Sequence, residues 1–330
     1  MLSYLVRRLL LAALTLWLVT FAVYALIRHM PGTPLTMDMG ESDPSKRISP
    51  EEKKRQEKAY GLDLPWYWGY WRWMGNVAQG DLGFSIEQKE SVVRAISKRI
   101  GPTLLLSGVA VLSAYLLSIP IGLYCSARSN RLDERALSLT LYMLYSLPTY
   151  VAALFLLVLF YQKLRGTVFE LPLQGTYSPN FSDLSPVGKS WDVLKHMLLP
   201  WICLTYNSLA YDTRFIKANM EEALRQDYIR TARAKGASYF RIIVIHAFRN
   251  TMIPFVTLLG MALPSILSGA VILDGIFGWE GMGQLFFASI GRRDYELIMG
   301  LTLMFTVLTL AGQLLADILY AFVDPRVTYK

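Results

Sequence analysis

The residues of this sequence that are best placed to do chemistry are charged side chains at the edges of long apolar runs. Asp212 and Arg214 follow one such run, and Asp274 follows another. Charged groups close to lipid are costly, so they mark a structural pairing or a transport pathway. Asp212, Arg214 and Asp274 are therefore candidates for a pathway or gate, and purely structural pairing remains an equal alternative.

A polar segment, residues 215–249, is the second candidate. Its first part, 219–235, is rich in helix-forming residues, and Gly236 follows as a helix stop. An amphipathic stretch, 239–248, comes next. Counted from Arg214 to Arg249 there are eight basic and three acidic residues, a net charge of about +5. Such a segment either lies on anionic lipid headgroups or forms a helix–turn–helix lever that docks on a cytoplasmic partner. The residue types alone leave both open.

Several catalytic centres are excluded by the sequence. A phosphate-binding loop needs Gly-x4-Gly-Lys-Ser/Thr, and the fragment at 188–190 has Asp183 where the first Gly is required. The nucleophile motif Gly-x-Ser-x-Gly is missing, which makes an intramembrane hydrolase improbable. The histidines do not cluster and the cysteines lie inside apolar runs: His29, His196, His246, Cys125 and Cys203. We expect no catalytic residue, no metal site and no cofactor bound by this chain.

The elements that position these residues are membrane helices. Of 330 residues, 53% are hydrophobic and 18% charged, and the mean hydropathy is +0.33. These values exclude an ordinary soluble enzyme and a disordered protein. A spanning helix needs about 20 apolar residues. The sequence predicts an all-α polytopic membrane protein with six transmembrane helices, at about 9–28, 102–127, 136–162, 197–214, 250–273 and 297–321.

The distribution of Lys and Arg predicts the orientation. The short loops on the side of the termini carry 15 basic residues, against six in the opposite short loops. Basic residues favour the cytoplasmic side, so both the N and C termini are predicted to be cytoplasmic. This pattern also accounts for the net charge of +8 without a nucleic-acid partner. The run at 197–214 is short, and the C terminus would change sides if it did not span.

Four regions follow from these spans: the first helix (1–28), an extracytoplasmic loop (29–101), a core (102–323) and a cytoplasmic tail (324–330). Within the loop, 49–52 resembles a helix start and Gly61 a helix end. The aromatic run 66–73 suits the membrane–water interface, with an aromatic cage for a cationic or aromatic ligand as the alternative. Residues 91–100 are predicted to form a short interfacial helix.

The polar segment also resembles a known family. Its stretch Asp227-Tyr228-Ile229-Arg230-Thr231-Ala232-Arg233-Ala234-Lys235-Gly236 is similar to the cytoplasmic coupling loop of bacterial ABC importer permeases of the dipeptide, oligopeptide and nickel type. Arg230 and Thr231 stand where the general pattern has Glu and Ala, and Glu280 replaces the more usual Pro. The continuation through His246 to Pro254 resembles the peptide branch. Similar motifs occur at 7–8, 61–63, 80–85, 99–104, 196–200, 214–220, 276–283, 293–295 and 324–327, whereas 166–195 matches least.

The resemblance implies a type I ABC importer transmembrane fold in the bacterial inner membrane. It also implies a second, similar permease subunit, two cytoplasmic ATPase subunits that bind ATP and Mg, and an extracytoplasmic solute-binding protein. The chain itself would be a transport subunit and not an enzyme. Its implied ATPase-coupling residues are Asp227, Tyr228, Arg230, Thr231, Ala232, Arg233, Ala234, Lys235 and Gly236. Peptides are the expected substrate; an importer of nickel chelates or other small solutes, or an ion-gradient-driven secondary carrier, remains the alternative.

Overall fold

The computed structural model describes residues 2–30, 63–251, 266 and 269–323. The helix expected near 49–61, most of the span expected at 250–273, and the tail 324–330 lie outside the described residues. The helices are α1 (Leu2–His29), α2 (Trp66–Ala78), α3 (Val92–Ala127), α4 (Leu132–Ser146), α5 (Thr149–Leu157), α6 (Pro186–Leu224), α7 (Asp227–Ala234), α8 (Tyr239–Arg241), α9 (Val271–Phe277), α10 (Met282–Arg292) and α11 (Tyr295–Val323).

Short irregular elements complete these helices. A π-helical turn over Val158–Lys163 continues α5, and another over Ile242–Ala247 continues α8. A 3-10 turn spans Phe181–Asp183. Two antiparallel strands, β1 (Phe84–Ser85) and β2 (Glu90–Ser91), form a hairpin just before α3.

Three described helices are long and apolar enough to cross a membrane: Val6–His29, Val92–Ala127 and Tyr295–Leu315. They correspond to the first, second and sixth predicted spans, which are confirmed as long apolar helices. The bent pair Leu132–Ser146 and Thr149–Lys163 would make a fourth if it counts as one span.

The third predicted span, 136–162, needs a correction because it is not one straight helix. It divides at Leu147 and Pro148, and its two halves, α4 and α5, meet at 90°. Proline lacks an N–H donor and pushes the preceding residue out of the helical region. Leu147 is accordingly extended, with φ −82° and ψ 116°.

The interfacial helix expected at 91–100 is also corrected, because it continues without a break into the second span as α3. Val92, Ala95 and Ile96 are buried against residues of α10 and α11, including Met282 and Leu297. This packing carries the helix through Pro102, and a proline inside a membrane helix is tolerated when neighbouring groups satisfy the backbone.

The fourth predicted span, 197–214, lies inside α6, which extends well beyond it at both ends. Ser185 caps α6, its hydroxyl accepting a hydrogen bond from the N–H of Gly188, and Pro186 occupies the first turn. With 39 residues, α6 is about 58 Å long, which exceeds the thickness of a bilayer. The helix expected over 219–235 is split at Gln226, whose extended backbone separates α6 from α7.

A stripe of small residues lets α3 and α6 approach closely. The stripe recurs at every fourth position of α3, and its members are all buried: Ala110, Ala114, Ser118, Gly122 and Ser126. The Thr205 hydroxyl donates to the carbonyl of Ala110 at 3.5 Å. A Cβ at Gly122 would lie 2.7 Å from Cγ2 of Ile216. Small residues at this spacing are typical of helix pairs in lipid, where backbone proximity replaces the hydrophobic drive.

The first and last described helices pack side by side. Arg8 of α1 forms an ion pair with Asp317 of α11 at 2.6 Å. Phe21 and Tyr24, further along α1, contact the buried ring of Tyr70 in α2. The aromatic run is therefore a helix with one packed face and one face on which Tyr67, Trp68 and Trp71 are exposed.

Gly122 and Gly108 of α3 give a matched test of the close packing. Gly122→Ala should lower the free energy of unfolding by about 1–3 kcal/mol, because the added methyl collides with Ile216. Gly108→Ala should be neutral or stabilising by up to about 1 kcal/mol, because a Cβ there meets nothing within 4 Å. Denaturation in mixed micelles measures both variants. Equal shifts in the two would contradict the packing described here.

Candidate functional site

Helix α7 packs against the rest of the chain along one face. Ile229 and Ala232 are buried there, and they join an apolar cluster that we call the lever core. The other buried members come from the end of α6 and from the turn after α8: Ile216, Met220, Ala223, Ile242, Ile243 and Ala247. Because Tyr115, Ile119 and Leu123 of α3 pack on this cluster, α7 shares one apolar core with both α3 and α6.

The opposite face of α7 and the turn after it are exposed. Of the nine residues expected to couple to an ATPase, eight lie on this face: Asp227, Tyr228, Arg230, Thr231, Arg233, Ala234, Lys235 and Gly236. The ninth, Ala232, points into the lever core, so its small side chain serves packing inside the chain. Among the described residues Arg230 pairs with Asp227 alone, one turn away at 3.3 Å, and both side chains are exposed. Arg233 and Lys235 complete a basic outer face.

Gly236 ends α7 as its residue type predicts. Its φ of +77° lies in the left-handed region that favours glycine. The N–H of Gly236 donates to the carbonyl of Arg233 at 2.9 Å, and the N–H of Ala237 donates to that of Ala232 at 3.2 Å. These bonds cap the helix and turn the chain towards α8. A Cβ at 236 would meet nothing within 4 Å, so this turn is an open surface.

A polar network that no sequence motif predicts links the start of α4 to the end of α6. The ammonium of Lys217 lies 2.6 Å from the buried carboxylate of Glu134 and 3.8 Å from Glu221. Ser138 and Ser129 donate hydroxyl hydrogen bonds to Glu134 and Glu221. Burial alone would lower the pKa of Lys217, but the hydrogen bond and charge of Glu134 outweigh it and raise that pKa. The network clamps the loop between α3 and α4 onto the base of the lever.

The structure does not bring Asp212, Arg214 and Asp274 together. Asp212 is buried, and in the described part of the chain it forms no ion pair with Arg214. The guanidinium of Arg214 instead lies over the rings of Tyr142 and Tyr145, 4.2 and 5.4 Å from their centroids. These contacts are typical cation–π geometry.

Asp274 belongs to a separate cluster around the turn between α9 and α10. It is buried, and its carboxylate accepts a hydrogen bond from the N–H of Gly283 at 3.1 Å, which holds α9 against α10. The indole of Trp279 donates to the carbonyl of Pro102 at 3.1 Å, and the N–H of Met282 donates to the Thr103 hydroxyl at 2.8 Å. Asp274 therefore organises a turn that is docked on α3.

Residues 175–178, part of the stretch 166–195 that resembles the family least, hold this turn in place, and we call them the strap. The N–H of Gly175 donates to the carbonyl of Phe277 at 2.8 Å, and the N–H of Glu280 donates to the Thr176 hydroxyl at 2.9 Å. Asp192 anchors the strap by accepting from the hydroxyl and N–H of Ser178. Burial favours the neutral form of Asp192, but these hydrogen bonds outweigh it and lower its pKa. Backbone contacts of this kind leave no signal in residue types.

Comparison with known proteins identifies the system to which these elements belong. Residues 118–329 match the family described as the binding-protein-dependent transport system inner membrane component. Residues 1–107 match the N-terminal family of the same membrane components. The chain belongs to this family.

Relatives of the permease match it from end to end. It is 35% identical over 330 residues to the oligopeptide transport system permease protein AppB of Bacillus subtilis, covering 100% of both chains. It is 33% identical over 343 residues to the dipeptide transport system permease protein DppB of Escherichia coli K12, again covering 100% of both. The glutathione transport system permease protein GsiC of Shigella flexneri is 32% identical over 331 residues, with the same coverage.

The clamp between Lys217 and Glu134 in this permease can be tested against an exposed pair of the same types. Lys217→Met should destabilise the protein by about 3 kcal/mol, because the buried Glu134 carboxylate loses its partner. Lys98→Met removes the exposed pair with Glu90 at 2.7 Å and should cost about 1 kcal/mol or less. Denaturation in mixed micelles compares the two.

The double variant Lys217→Met, Glu134→Gln serves as the rescue. Replacing the carboxylate with a neutral amide removes the unpaired charge, so most of the lost stability should return. A Lys217→Met loss no larger than that of Lys98→Met would show that the network does not clamp the loop.

Proposed function

We propose that this chain is a membrane-spanning permease subunit of an ATP-driven, binding-protein-dependent importer of peptides. The observation that carries the proposal is similarity along the whole chain to permeases named for oligopeptide, dipeptide and glutathione transport. Peptide-type relatives match outer and cytoplasmic segments as well as the apolar helices, so the likeness is more than shared hydrophobicity.

The proposed topology has six spans with both termini in the cytoplasm. Its support is the charge distribution of the short loops together with the pair between Arg8 and Asp317, which puts the start of α1 beside the end of α11. The length and ends of α6 fit a fourth span, since its polar inner end carries the lever and its outer end meets the strap. The region of the fifth span is assigned from sequence alone.

The proposed site of coupling is the exposed face of α7 with the turn at Gly236. Two cytoplasmic ATPase subunits, which bind ATP and Mg, would dock there, with a second permease subunit in the membrane and a solute-binding protein outside. Arg230, Arg233 and Lys235 offer basic contacts to acidic groups on an ATPase. Movement of α7 would pass through the lever core to α3 and α6, because these helices share that core.

Two alternatives make different demands on the same chain. An ion-gradient-driven carrier has no use for an exposed lever whose inner face is fixed to two long helices. An importer of nickel chelates or other small solutes would keep the lever and change only the solute. The energy source therefore separates the first alternative from the proposal, and competition between solutes separates the second.

A variant at the lever turn tests the coupling. The complex is reconstituted with its partners in proteoliposomes, with the binding protein and a labelled peptide outside. Gly236→Trp should abolish ATP-dependent uptake and release the ATPase in pull-downs, because the indole blocks the open surface of the turn. Wild-type uptake should need ATP inside and should persist when a protonophore collapses the ion gradient.

Gly166→Trp is the matched control. Gly166 has a φ of +76°, nearly the same as Gly236, and it too has open space around its Cβ, but it lies in the segment between α5 and α6. Both variants therefore carry the same backbone strain, and only one alters the lever. Equal loss of ATPase binding in the two variants, or uptake that follows the ion gradient, would refute the proposal.

A further inference from the structure

An open groove lies between α4 and α6. It is on the side of α6 that faces away from α3 and its small-residue stripe. Its volume is about 510 Å³. Aromatic and charged side chains from both helices line it, including Tyr142, Tyr145, Tyr211, Arg214 and Lys217. None of these residues is part of the exposed face of α7, so the groove is distinct from the proposed coupling site.

The positive charge of the groove is concentrated on Arg214. Lys217 lies one turn further along α6, but Glu134 and Glu221 already pair with it. Arg214 forms no ion pair with any carboxylate in the described part of the chain, and its contacts are the rings of Tyr142 and Tyr145. A guanidinium held over two rings is positioned in advance and keeps N–H donors for an anion.

The surroundings of the groove indicate which anion it receives. The apolar run of α6 ends at Tyr211, so the proposed fourth span puts Arg214 where the helix leaves the hydrocarbon. Tyrosine and arginine are the residues that favour this depth. On the neighbouring face of α4, Leu139 and Met143 are more than half exposed. A ligand with a phosphate for Arg214 and an acyl chain for Leu139 and Met143 matches both surfaces.

We propose that the groove between α4 and α6 binds an anionic phospholipid, with its phosphate on the guanidinium of Arg214 and an acyl chain along Leu139 and Met143. The choice of a lipid rests on the proposed fourth span, and its assignment to the cytoplasmic leaflet rests on the proposed orientation. Lys217 and Glu221 connect the groove to the base of the lever, so a bound lipid would lie directly beside the helix that carries α7.

Native mass spectrometry of the purified transporter complex tests this binding. The probes are phosphatidylglycerol and phosphatidylcholine with identical acyl chains, titrated into delipidated complex in mild detergent. Wild type should retain phosphatidylglycerol in preference to phosphatidylcholine. Arg214→Gln should weaken phosphatidylglycerol binding about fivefold, the effect of removing one basic contact near a membrane surface. Arg214→Lys keeps the charge, so it should weaken phosphatidylglycerol binding by no more than about half as much as Arg214→Gln does.

Arg131→Gln is the matched control, because Arg131 is an exposed basic residue of the loop before α4 that does not line the groove. It should leave phosphatidylglycerol binding unchanged. Equal losses in Arg131→Gln and Arg214→Gln would reduce the effect to diffuse surface charge, and equal retention of the two lipids would reduce the groove to an apolar cleft. Either result overturns the proposal.

Competitors separate the lipid from soluble anions. Inorganic phosphate and a short peptide with a free carboxylate, each in excess, should not displace phosphatidylglycerol. Displacement by either would identify a site for a soluble ligand and overturn the proposal. The titration needs no ATP and no transport, so its failure is distinguishable from a failure of the proposed import function.

Discussion

The close approach of α3 and α6 is the constraint on which the rest of the structure depends. In lipid there is little hydrophobic drive to bring two apolar helices together, so they associate where their backbones can touch. Gly122 supplies that contact, since even one methyl there would collide with Ile216. Ile216 also belongs to the lever core. The packing that joins the two helices is therefore the packing that holds α7.

Helix α6 is continuous and makes different contacts at its two ends. Near its first turn Asp192 anchors the strap that holds the turn between α9 and α10. Near its last turns Lys217 is clamped to Glu134, and the neighbouring Ile216 belongs to the lever core. Because the helix is continuous between these ends, one element contacts both the lever core and the turn between α9 and α10.

The sequence predicted the parts of this account that local chemistry determines. Apolar runs were enough for α1 and α11, and Gly236 was recognisable as a helix end because a left-handed residue favours glycine. Pro148 interrupts the third predicted span, but the 90° bend depends on how α4 and α5 each pack against α6. The pair of Glu134 and Lys217 joins positions 83 residues apart, and no pattern connects them. The small-residue stripe was readable at four-residue spacing, and that signal was missed.

Two-sided cysteine labelling of α6 is the most direct test of this account. Val187 and Glu222 are both exposed, and they lie about 52 Å apart along the helix. The native Cys125 and Cys203 are buried, so single variants Val187→Cys and Glu222→Cys can be read against them. With an impermeant maleimide, the account predicts labelling of Val187→Cys from outside the cell and of Glu222→Cys only from the cytoplasm. Labelling of both from the same side would contradict it.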